Sequence, residues 1–363
     1  VHTPPTGFKA LCTENLSEPT IKNGTKHFNS VTYTGTITDT STQTISGVGF
    51  QPNLVWIKRR NGANSPILYD SIRGVGKWLE PSTNSAEQTS NANGALTTFN
   101  SDGFVLTGGS TNANLCCEDG NTYVAWNWLG TSSDANNTAG SISSTVNVNT
   151  TAGFSIVSYQ GTGSAATVGH GLGVAPDIVL VKNRGTNDRI WLMYHSWNTD
   201  DPETEYLELN ANSATGDDNS AWNDNAPTST VFHIGTSASS NNSGENHIAY
   251  CFSQVDGYSK FGTYTGNSST NGPFVWTGFS PAFVMVKRTS STGPYNMFDN
   301  KRETYNPRER NLDAAAASAE DTGRYIDFLS NGFKIRNSGT EMNNGTYIFL
   351  AFAKTPFNYS TSH

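Results

Sequence analysis

The sequence predicts an all-β protein: three homologous β-sandwich repeats, jelly-roll or lectin-like, in tandem. Three observations predict it. The same phrase is written three times, as GVGFQPNLVWIKRR from Gly47, GLGVAPDIVLVKNR from Gly171 and WTGFSPAFVMVKR from Trp276. Matching landmarks surround each copy in the same order. Many short β-prone runs are separated by Gly and Asn turns, the pattern of a sandwich or barrel.

Within the phrase a Gly-x-x-Pro turn comes first, at Gly49 and Pro52, Gly173 and Pro176, Gly278 and Pro281. Proline fixes φ and glycine permits unusual φ, so the turn has a mechanism. A β-branched and aromatic run follows. Side chains alternate across a strand. Val55 and Ile57 therefore share one face, matched by Val179 and Val181, then Val284 and Val286. Leu54 and Trp56 share the other, matched by Ile178 and Leu180, then Phe283 and Met285. Both faces are apolar, which predicts a strand buried on both sides. Lys58, Lys182 and Lys287 end each run and mark where it is expected to surface.

The remaining elements follow in order. A Tyr-x-Gly opens each copy at Tyr33, Tyr159 and Tyr264. A short strand follows the long one, ILYD at Ile67, WLMYH at Trp191 and NMFD at Asn296. After a polar stretch come DGFVL at Asp102, TVFHI at Thr230 and NGFKI at Asn331. The closing strands are TYVAWNW from Thr122, NHIAYCF from Asn246 and TYIFLAF from Thr346. Each copy spans roughly 90 residues, the size of a small domain. The expected division is an N-terminal extension over 1–30, repeats over 31–130, 153–257 and 258–363, and a linker over 131–152, together forming a rigid, extended element. The Arg-rich RETYNPRERNLDAAAASAEDTGR from Arg302 is the one helix-prone stretch and reads as a surface connection.

Composition bounds the function. The chain has 363 residues, few charges and a net charge of −8. Nonspecific nucleic-acid binding needs a basic surface, so it is not expected. No apolar run reaches transmembrane length, so no membrane insertion is expected. The chain opens on Val1, which suggests a processed product or a piece of a longer polypeptide. Cys12, Cys116, Cys117 and Cys251 do not recur at equivalent positions, which argues against a disulfide framework and for free thiols.

Several segments carry a resemblance: GFKALCTENLSEPTI from Gly7, the GFQPNLVWIKRR strand, TAGFSIVSYQGTGSAATVGHGLGVAP from Thr151 and GYSKFGTYTGN from Gly257. Together they resemble large virion surface or tail-fibre-like proteins of tailed bacteriophages, marine and cyanobacterial ones in particular. The resemblance covers nearly the whole chain. It implies a place on the extracellular surface of a virion, other virion proteins as partners, and a homo-oligomer, with a trimer as the fibre-like expectation. It transfers no catalytic residue.

The residues themselves show no enzyme signature: no Gly-x-Ser-x-Gly, no His-Glu-x-x-His, no Walker loop. The chain is therefore expected not to be an enzyme. His195 aligns with Asp70 and Asp299, and His247 with Tyr123 and Tyr347, as strand residues. Trp126 and Trp128 align with apolar residues in the other copies and read as core. Features confined to one copy are the candidates for function, because function tends to lie in loops. Trp197 and Trp222 belong to the middle copy and bracket acidic clusters, so with Asp200 and Asp201 they form the candidate ligand site, for a host-surface glycan. Asp217, Asp218 and Asp224 are candidate Ca²⁺ ligands, the alternative being a solvated loop. The leading expectation is a tail-fibre or adhesin segment. A structural role without a ligand, such as capsid decoration or fibre shaft, is the first alternative. A glycan depolymerase using the middle-copy carboxylates is the second.

Overall fold

The computed structural model describes residues 18–89, 92–111 and 115–359. The structure is nearly all β, in several antiparallel sheets. Cys12 and most of the Gly7 segment lie outside the described residues.

Every predicted strand forms. In the first module Phe28–Thr34, Thr122–Trp128, Leu54–Arg59 and Ile67–Asp70 lie side by side in that order. The second module places Phe154–Gln160, Asn246–Phe252, Ile178–Asn183 and Leu192–His195 in the same relative order. The third does so with Ser259–Thr265, Thr346–Pro356, Phe279–Arg288 and Tyr295–Asp299. In each, the closing strand sits between the opening strand and the Pro-led strand. A smaller sheet faces each large one: Thr42–Ser46, Gly103–Thr107 and Ala95–Asn100 in the first, Ala166–Gly169 with Val231–Ile234 in the second, and Phe274–Trp276, Gly332–Ile335 and Ile326–Phe328 in the third.

The 131–152 stretch does more than link. Ala135–Asn137 and Ser144–Asn149 extend the second large sheet beyond its opening strand.

Why the Pro-led strands are apolar on both faces is now clear. Val55 and Ile57 pack inside the first module with Trp78 and Phe104. Val179 and Val181 do the same in the second with Phe232 and Trp222. The opposite faces meet one another. Trp56, Leu180 and Met285 fall in a single core that draws on all three modules. At its centre Trp128, Phe252 and Phe352, one from each closing strand, meet edge to face. Their ring centroids are 6.2 Å (Trp128–Phe252), 5.7 Å (Trp128–Phe352) and 5.8 Å (Phe252–Phe352) apart. Each such pair adds about 0.5–1.5 kcal/mol beyond burial. The modules therefore surround one core, and the extended arrangement expected from the sequence is corrected: a sheet that is apolar on both sides cannot be left open to water on one of them.

Candidate functional site

The polar positions between the modules form a ring of interfaces. Asp70 and Arg73 of the first module are buried and paired. Asp70 accepts from the Tyr250 hydroxyl of the second module at 2.7 Å. Arg73 also reaches Glu87, which takes Arg184 of the second module in two hydrogen bonds, 2.9 and 3.0 Å. The third module repeats this toward the first. Asp299 pairs with Arg302 at 2.6 Å and accepts from Trp126 Nε1 at 3.1 Å, and Glu320 takes Arg60 at 2.9 and 3.1 Å. Burial works against ionisation of Asp299 and Glu320, yet the neighbouring arginines hold both carboxyls below their usual range. Between the second and third modules the same places are neutral: His195, Asn198 and Thr215. Thr215 Oγ1 donates to Asn198 at 2.8 Å, and its amide donates to the Thr289 carbonyl at 3.1 Å.

His195 is a buried support. Its Nε2 lies 3.4 Å from the Phe349 carbonyl, and its Nδ1 accepts from the Trp197 amide at 3.2 Å. Burial pushes its pKa down to about 4, so the ring is neutral at pH 7. His247 is also buried, stacks on Tyr159 with centroids 5.1 Å apart, and is pushed by burial to about 4.

The lysines expected at the surface are buried: Lys58, Lys182 and Lys287 are each at most 1% exposed. Each ammonium donates to backbone carbonyls instead. Lys287 reaches Gly293, Ser213 and Asn212 at 2.6, 2.7 and 3.1 Å. Lys58 reaches Asn64 and Ala316, and Lys182 reaches Arg189. Burial lowers all three to about 8, which leaves them charged at pH 7.

The predicted site residues differ in exposure. Trp222 is 2% exposed, packed edge-on to Tyr194 inside the second module, with its Nε1 donating to the Glu205 carbonyl at 3.0 Å. It presents no surface to a ligand, which corrects the expectation of an exposed ring. Asp200 and Asp201 are exposed in a turn closed by Thr204. Asp217 is exposed, in a two-residue strand against Glu205–Glu208. Asp218 caps the short helix Asn219–Trp222, and Asp224 follows it at φ 49°. Among the described residues no group of three or more His, Cys, Asp or Glu side chains is placed to hold a metal ion. Cys116, Cys117 and Cys251 are free and buried.

Trp197 is different. It is 48% exposed and lines a shallow groove with Phe274 and Trp276, 45% and 54% exposed. The groove measures about 300 Å³. Strand alternation explains its make-up: in Phe274–Trp276 only Val275 turns inward, so the two flanking rings face out together. Gly332 lies beneath them. A Cβ there would stand 2.1 Å from the Val275 carbonyl and 3.0 Å from the Phe274 ring. The opposite wall is the edge strand Ser259–Thr265, which brings Lys260 and Thr263. Lys260 is the one charged side chain among the described residues of the lining. Sequence reasoning missed Phe274 and Trp276. The signal was present, because FVW is an edge run that the other copies lack.

A model of a domain of unknown function, DUF7483, matches residues 23–356. The chain belongs to the DUF7483 family. The match spans all three modules, so the DUF7483 unit is the whole three-module body. No curated protein and no solved structure matches the chain.

Proposed function

We propose that this DUF7483 chain is a nonenzymatic adhesion scaffold, made by triplication of one β-sandwich module, that binds glycans on a host surface through the groove of Trp197, Phe274 and Trp276. The exposed aromatic trio carries this assignment. Flat apolar faces beside polar neighbours suit the faces and hydroxyls of a sugar ring, and three large aromatics exposed together in one groove make a contiguous apolar patch, where single exposed aromatics would be ordinary. Triplication is supported by the common strand order and by the equivalent inter-module contacts. A place on the surface of a phage particle is supported by the sequence resemblance alone.

A glycan-array and host-cell binding screen of the whole chain, with and without EDTA, tests the proposal. The expected result is specific binding that Trp276→Ala or Trp197→Ala weakens at least about tenfold, or ~1.4 kcal/mol, with unchanged thermal stability. EDTA sensitivity would bring a divalent cation into the site. Absence of binding to any glycan or cell would reject the adhesion role and leave a purely structural one.

A further inference from the structure

A second concavity, of about 450 Å³, opens on the third module. Its construction begins in the backbone. The Pro-led strand is irregular at Ser280, Pro281 and Phe283 against Thr346–Pro356. Such bulges bend a strand and re-aim its side chains. After the short strand, Asp299 accepts from the amides of Lys301 and Arg302 at 2.9 and 2.8 Å, which fixes the turn that carries Lys301. The far wall is fixed by Asn306, which exchanges two hydrogen bonds with the Phe328 backbone at 2.8 and 2.9 Å.

Lys301, Lys354 and Arg308 line this cavity, and no carboxylate does. Arg308 is 7% exposed, with its guanidinium 4.5 Å from the centre of the Phe328 ring. Its Nη atoms donate to the Glu303 and Thr304 carbonyls, and its buried Nε has no hydrogen-bond partner. Among the described residues none of the three cations has a carboxylate within ion-pair distance. Asp299, Glu303 and Asp327 favour the Arg308 charge from beyond ion-pair distance, more weakly than burial opposes it, and each has a closer partner. Asp299 holds Arg302, Glu303 takes the amides of Glu309 and Arg310, and Asp327 faces Arg336 at 3.6 Å. A buried charge is costly unless it is paired. Here three like charges share one concavity, so an anion would relieve both burdens. Tyr305, 85% exposed at the rim, adds an aromatic face. Ser280, Asn300 and Thr304 add neutral polar groups. The set is confined to this module: by position along the chain Lys301 replaces Ile72 and Trp197, and Lys354 replaces Gly130 and Gln254.

We propose that this cavity binds an acidic sugar unit, a single ring carrying one carboxylate or sulfate group. Lys301, Lys354 and Arg308 take the oxyanion, and Tyr305 with the neutral groups takes the ring. Its size fits one such unit, since small-molecule sites begin at about 300 Å³. The site is separate from the aromatic groove and does not depend on it.

The test is calorimetric titration of the whole chain at low ionic strength with glucuronate, glucose 6-sulfate, glucose and inorganic sulfate. At least one sugar acid is expected to bind more tightly than both glucose and sulfate, and the preferred acid identifies the group. Lys301→Ala/Lys354→Ala, which changes only exposed side chains, should weaken that binding at least about tenfold, and Trp276→Ala should leave it unchanged. Added salt should weaken it as well, because the lysines are solvent-screened. No binding of either sugar acid, equal binding of glucose or of inorganic sulfate, or wild-type affinity in the double variant would each overturn the assignment.

Discussion

At the scale of single residues, the three modules solve one problem with different chemistry. Tyr33, Tyr159 and Tyr264 each stack on the residue opposite: Tyr123, His247 and Tyr347. A loop amide donates to that partner each time, from Glu118, Asn242 and Asn344. His247 is thus a tyrosine position filled by a titratable ring. Its pKa of about 4, like that of His195, lies below the roughly 6.5 of an unfolded chain. Between those values the unfolded state binds a proton that the folded state refuses. Stability contributed by each neutral ring is therefore full above pH 6.5 and lost as pH falls toward 4, by up to about 3 kcal/mol per histidine. His27, His170 and His233 are also lowered by burial, and His247→Tyr should remove only the share of the loss that His247 contributes. Urea unfolding at pH 7 and pH 4.5 should show the gap between the two pH values narrowed by about 1–3 kcal/mol relative to wild type, and an unchanged gap would refute this account. The alignment of His247 with tyrosines was legible in the sequence. The burial of Lys58, Lys182 and Lys287 was misjudged because lysine is rarely buried. Yet the same lysine at the same place in every copy was itself a sign of scaffold.

At the scale of elements, the Tyr-x-Gly signature has a steric cause. Each tyrosine hydroxyl donates to a carbonyl of the loop before the closing strand: Cys116, Ser240 and Met342. The glycine two residues later passes against the same loop. A Cβ on Gly35, Gly161 or Gly266 would stand 2.2, 2.3 or 2.3 Å from its backbone. Backbone atoms cannot yield as the end of a side chain does. Gly161→Ala should thus cost about 1–3 kcal/mol, read as a lowered urea midpoint, whereas Gly47→Ala meets no atom within 4 Å and pays only for φ of 88°. Equal stability of Gly161→Ala and wild type would remove the steric explanation. Helix propensity misled at the alanine run of the third module. Ala314 is buried, and the carbonyls of Ala316 and Ala317 accept from Lys58 Nζ and the Asn64 amide of the first module. A helix would have claimed those carbonyls for itself. The run is small because it lies against a neighbour, which local propensity does not register. The groove was half legible. Trp197 stood out as unique to one copy, but only the fold brings Phe274 and Trp276, roughly eighty residues further on, beside it.

At the scale of the whole molecule, the central question is whether three modules make three folding units. Periodicity established that both faces of each Pro-led strand are apolar. It did not establish what the second face meets, because a self-contained sandwich and a shared core write the same pattern. The structure joins the second faces in one cluster, with Phe28 and Phe283 packed around Trp128, Phe252 and Phe352. Removing one module would leave two large apolar sheets open to water. The interfaces add a further constraint, since Arg73 and Arg302 are buried beside acids that also hold residues of the next module. Breaking one such pair strands a buried charge, at about 3–5 kcal/mol. Phe352→Ala therefore should destabilise the entire body by about 3–5 kcal/mol. Tryptophan fluorescence draws mainly on the first two modules, where seven of the eight tryptophans lie, and far-ultraviolet circular dichroism draws on all three. Their unfolding curves should shift together and stay superimposed in the variant. Separation of the curves, with the third module lost first, would show that each module folds by its own core and that the shared one only docks them.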